Sequence, residues 1–178
     1  DQNDLPAAMD AYEKALAIDA RYAFAWDGIG NILQKNQDFS AAIDAYRRAL
    51  AIDPRIAQAW YNLGNALREQ KDLPAAIDAF KTALGIDPEY VESWVNLGNV
   101  RRMQKDLPGA IEAYRKALAI NPQFAPAWEC LGSVLNDQKE FLAAIEAHSK
   151  ALSIDPEDPI ATLNLGLDYP PLAVEYRK

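Results

Sequence analysis

PRIAQAWYNLGNALREQKDLPAAIDAFKTALGID, residues 54–87, reads as two helices separated by a short polar break. Over Ile56 to Gln70, apolar residues fall at Ile56, Ala59, Trp60, Leu63, Ala66 and Leu67, the three-and-four spacing of one helix face. Gln70, Lys71 and Asp72 interrupt that face, and Leu73, Ala76, Ile77, Phe80, Ala83 and Leu84 then restore it. Asp72 is placed to cap the second helix, with Pro74 in a first turn that needs no proline N–H. Asp53, before Pro54, reads as the same start signal for the first helix. Gly64 inside a helix costs roughly 1 kcal/mol against alanine. That cost implies close packing, with Gly64 and Ala76 letting the helices approach while Trp60 and Phe80 fill the larger spaces.

The stretch is one copy of a repeating unit. Trp26, Trp60, Trp94 and Trp128 are all the tryptophans, each 34 residues after the last. In the same phase run Gly30, Gly64, Gly98 and Gly132, then Tyr46, Phe80, Tyr114 and His148, then Pro54, Pro88, Pro122 and Pro156. The units expected are residues 23–56, 57–90, 91–124 and 125–158. A lone second helix precedes them over 1–22, and a lone first helix with an irregular tail follows over 159–178, ten helices in all. The first helix of that last unit holds Thr162, Leu165, Gly166 and Tyr169, and ends at Pro170 and Pro171. A chain that starts mid-unit is expected to be a fragment.

Tryptophan, leucine and glycine, followed by alanine, aromatic, alanine and proline, resemble the tetratricopeptide repeat family in order and period. The resemblance implies an all-α fold, a right-handed α-solenoid of stacked antiparallel helical hairpins whose first helices line a concave side. It also implies a noncatalytic scaffold for protein–protein interaction that binds an extended or helical peptide in that groove.

First-helix positions left over from packing should face the groove. In the two central units they include Tyr61, Asn62, Asn65 and Arg68, then Asn96, Asn99 and Arg102. An asparagine amide both donates and accepts, so a ladder of them suits the backbone of an extended peptide. Arg68 and Arg102 suit an acidic side chain or a terminal carboxylate. Asparagine is also common at these places in the resembled family, where local helix bonding accounts for it, and both readings stand. Some members clamp a carboxylate with lysine one residue after the tryptophan; here Asp27, Tyr61, Val95 and Glu129 hold that slot, which argues against such an adaptor.

The net charge of −8 argues against nucleic acid as the main partner. No apolar run is long enough to span a membrane, and no leader is visible, so a cytoplasmic setting is expected. Cys130, the only cysteine, reads as an inert small residue, and His148 as a packed substitute for an aromatic ring. No zinc spacing, phosphate-binding glycine loop or nucleophile–histidine set is present, so neither cofactor nor enzyme activity is expected. Two alternatives remain in view. The array could be the substrate-recruiting arm of a larger enzyme, such as a glycosyltransferase. It could also form a homo-oligomer by end-to-end stacking, through Leu5, Tyr12 and Leu16 at one end and Leu163 and Leu165 at the other.

Overall fold

A computed structural model describes residues 5–157 of the chain. It divides into two compact units, Asp1–Pro88 and Glu89–Lys178. The first holds α1 (Leu5–Ile18), α2 (Ala23–Lys35), α3 (Phe39–Ile52), α4 (Ala57–Glu69) and α5 (Leu73–Ile86). The second holds α6 (Val91–Met103), α7 (Leu107–Ile120), α8 (Ala125–Asp137) and α9 (Phe141–Ile154). Among the described residues there is no strand. The tenth helix expected from Thr162 to Tyr169 lies outside them, as do Leu163 and Leu165.

Within the first unit α2 pairs with α3 and α4 with α5, while α1 lies on α2 and α3 on α4. In the second unit α6 pairs with α7, α8 with α9, and α7 lies on α8. The fold class is therefore the all-α one expected, helical hairpins stacked in solenoid fashion.

The turn inside each hairpin closes by backbone geometry and a cap. After α4 the chain passes through Lys71 at φ 63°, in the left-handed region. The Lys71 N–H donates to the Arg68 carbonyl at 2.9 Å and the Asp72 N–H to the Leu67 carbonyl at 3.0 Å, satisfying the open end of the helix. Asp72 then accepts the Ala75 N–H at 3.3 Å and so starts α5, as its position in the sequence requires. Asp38 and Asp106 cap α3 and α7 in the same way. Glu140, at the start of α9, makes no such bond.

Asp53 does something other than the expected capping of α4. Pro54, Arg55 and Ile56 separate it from the first helical residue, Ala57, so its carboxylate cannot reach the helix end. It ends α3 instead and accepts the Arg55 N–H at 3.0 Å, a bond that holds the carboxyl below its ordinary range. The first helices start at Tyr22, Ile56, Tyr90 and Phe124, none with a side-chain cap. The indole takes part in fixing this turn: Trp60 Nε1–H donates to the Pro54 carbonyl at 2.9 Å, and Trp128 to Pro122 at the same distance. That bond gives a physical reason for tryptophan and proline recurring in one phase.

The glycine has the close-packing role expected, and its partner is the aromatic ring. A Cβ on Gly64 would lie 2.7 Å from Phe80 Cε1, so the ring rests flush against the helix backbone. Phe80, Ala76 and Ala83 are fully buried around it. Burying a phenylalanine contributes roughly 1.5–3 kcal/mol, enough to offset the glycine. Tyr114 and His148 lie on Gly98 and Gly132 in the same manner, which makes His148 the packed ring substitute expected. Trp60 is half-buried and lines an open pocket.

Candidate functional site

The polar residues of the first helices form a bonded network in each unit. In the first, it centres on Asp27 of α2, a carboxylate that is only 9% exposed. Asn62 of α4 donates to Asp27 Oδ1 at 3.1 Å, and Asn31 donates to Oδ2 at 3.3 Å. Gln58 donates in turn to Asn62 Oδ1 at 3.0 Å. The Tyr46 hydroxyl, reaching across from α3, lies 2.9 Å from Asn31 Oδ1 and 3.0 Å from Gln34 Oε1. One network thus ties α2, α3 and α4 together. Burial pushes the Asp27 carboxyl above its ordinary value, although the Asn62 and Asn31 bonds pull against that shift. Burial, with the Asp27 charge nearby, also raises the Tyr46 hydroxyl.

Asn65 follows Asn62 on α4 and is equally buried. Its Oδ1 has no hydrogen-bond partner. The reason is visible in the aromatic slot. Tyr46 reaches Asn31, and Tyr114 donates to Asn99 Oδ1 at 2.8 Å, but the corresponding ring over Asn65 is Phe80, which has no hydroxyl. Tyr61 is half-buried, its ring 6.0 Å from that of Phe80. Arg68, at the end of the helix, pairs with Glu69 at 2.8 Å.

In the second unit Asn99 and Asn96 are both half-buried on α6, with Asn99 Nδ2 3.4 Å from Asn96 Oδ1. Arg102 reaches from α6 to α8 and meets Asp137 at 2.6 Å. Val95, which holds the slot of Tyr61 one residue after the tryptophan, is buried in the core. Cys130 sits beside the Tyr114 hydroxyl, and burial pushes its thiol up to about 11, so it stays protonated near neutrality.

The structure therefore brings Tyr61, Asn62, Asn65 and Arg68 onto successive turns of α4, and Asn96, Asn99 and Arg102 onto successive turns of α6. It also shows what the sequence reading missed. The two arginines already hold carboxylates of this chain, and the tyrosine hydroxyls orient the amides. The Tyr–Phe difference at the aromatic slot was the only signal for the second point. Among the described residues no three His, Cys, Asp or Glu side chains gather as a metal would need, and no helix is long and apolar enough to cross a membrane.

Comparison with known proteins agrees with this fold. The sequence matches the tetratricopeptide repeat over residues 28–91 and again over 91–124. No curated protein matches it. A crystal structure of MamA protein is 30% identical, with 87% of each chain covered and a TM-score of 0.76. PilF of Pseudomonas aeruginosa is 24% identical, with 97% of this chain and 90% of that one covered and a TM-score of 0.81. YrrB, described as a TPR protein with an unusual peptide-binding site, is 24% identical, covering 89% of this chain and 82% of that one at a TM-score of 0.75. At that identity the last two speak for the fold alone. The repeat matches together run from residue 28 to 124, over half of the chain, and the helical hairpins are those the matches require; the chain belongs to the tetratricopeptide repeat family.

Proposed function

We propose that the first-helix faces of this scaffold bind the backbone of an extended segment of a partner protein through their asparagine amides. The observation that carries this reading is the run of amides on successive turns of α4 and α6, several already oriented by Asp27, Gln58 or Tyr114. A side chain held in place before binding loses less entropy when a ligand arrives. Amides also read peptide groups without regard to side chains, which suits a module that accepts varied sequences. Repeats of this family are generally noncatalytic interaction modules, and a protein or peptide is the partner class that follows.

The arginines have a narrower part in this reading than their charge suggests. An acidic partner residue would have to displace Glu69 from Arg68 or Asp137 from Arg102. Backbone recognition by the amides comes first and carboxylate capture second.

A peptide-display selection against the whole chain supplies ligands for the test. Changing Asn62 and Asn65 to alanine, and separately Asn96 and Asn99, is expected to weaken the selected peptides at least about tenfold, the loss of one to two bonds. Unchanged affinity in both variants, with helicity retained, would remove the amide faces from the site.

A further inference from the structure

A separate pocket opens on the second-helix side of the first unit. It has a volume of about 520 Å³ and is lined by Arg47 and Leu50 of α3, Trp60 and Leu67 of α4, and Asp78 and Thr82 of α5.

The pocket marks a place where a repeated contact is missing. In the first hairpin the Arg48 guanidinium lies over the Trp26 ring, 4.6 Å from its centroid. In the third, the Lys116 ammonium lies over Trp94 at 4.7 Å. Arg48 and Lys116 stand 34 residues either side of position 82, which holds threonine. Lys150 follows at the fourth place. Thr82 is too short to cover an indole, and its hydroxyl is turned back to donate to the Asp78 carbonyl at 2.8 Å. Trp60 therefore lacks the cation that lies over Trp26 and over Trp94, and both it and Thr82 line the pocket.

We propose that this pocket receives an arginine or lysine side chain from a basic segment of a partner protein. The cation would take the seat over Trp60 that Arg48 and Lys116 take over their own indoles. Both kinds of cation already rest on this type of ring in this chain, so the seat suits either head group. The aliphatic stem would lie along Leu50 and Leu67, and the Asp78 carboxylate would complement the charge. Arg47 is the opposing charge at the rim, but it is exposed and screened by solvent. The net charge of −8 favours approach by a basic partner. This seat does not depend on the amide faces of α4 and α6.

The test uses the whole chain, labelled with nitrogen-15, and follows the indole N–H signals of its tryptophans. The probes are N-acetyl-arginine methylamide and the uncharged N-acetyl-citrulline methylamide. The arginine probe is expected to move the Trp60 signal saturably, with Trp26 and Trp94 unmoved, and to bind roughly two- to fivefold more tightly than the citrulline probe. Thr82→Lys, which restores the residue type found at position 116, is expected to keep the fold and abolish the shift. The proposal is overturned if Trp60 does not respond, if the two probes act alike, or if Thr82→Lys binds the arginine probe as the unmodified chain does.

Discussion

Phe80 stands where Tyr46 and Tyr114 stand in two other hairpins, and the absent hydroxyl leaves Asn65 Oδ1 buried without a donor. Supplying that donor should stabilise the chain. Phe80→Tyr is expected to raise the unfolding free energy by about 1 kcal/mol, read from urea denaturation, since a buried acceptor regains its bond. Asp27 is the mirror case, a buried carboxylate whose donors are in place. Its pKa is raised above the ordinary value, so the folded state holds the proton more tightly than the unfolded chain. The stability this contributes is fully present below the unfolded pKa, about 3.9, and is lost as pH rises through the folded value. Asn62→Ala removes one of the bonds that favour the charged form, so it should raise the folded pKa further. Its cost should therefore grow with pH, from small near pH 3 to about 1–2 kcal/mol at pH 7. Denaturation at both pH values checks this, and a cost independent of pH would show that Asn62 does not act through the Asp27 charge. The sequence displayed both the amide series and the Tyr–Phe difference. It could not show that the hydroxyl and the amide meet, because that contact spans 15 residues and two helices.

At the level of the helices, the caps divide into those that sequence makes plain and those it hides. Asp72 followed by Pro74 is an unambiguous start, and α5 begins where that pair requires. Asp53 carries the same residue type before a proline, but three further residues intervene before α4, and a carboxylate reaches only the nearest N–H groups. The left-handed turns were invisible for another reason. Gln37, Lys71, Lys105 and Lys139 adopt φ between 62° and 65°, where glycine is the usual signal. The interlocking bonds of the turn impose that conformation instead. The start of α9 tests the capping argument directly, because Glu140 stands in the slot of Asp38, Asp72 and Asp106 and makes no cap. Glu140→Asp is expected to stabilise the chain by about 0.5–1 kcal/mol in thermal or urea unfolding. It should also slow amide exchange in the first turn of α9.

For the whole chain, the 34-residue period made the fold class legible, since a repeated tryptophan–glycine–aromatic–proline pattern leaves little other than a helical hairpin for each copy. Partner identity was not legible, because amides that read a peptide backbone carry no information about its side chains. Self-association is a further expectation at this scale. Among the described residues α1 packs only against α2, none of its residues is fully buried, and Ile18 is 89% exposed. Sedimentation velocity over rising concentration should show the average mass increase. A constant monomer mass at every concentration would count against stacking through α1. As a member of its family the chain is a protein-interaction scaffold, and the amide faces are the ligand site proposed for it. Their use is tested most directly by methylating, one at a time, the backbone nitrogens of a peptide selected by the chain. If the asparagines read the peptide backbone, methylation at the contacted positions weakens binding by about tenfold or more, while alanine substitution of the same peptide residues does far less. Binding that tolerates every N-methyl group but fails on side-chain changes would contradict it.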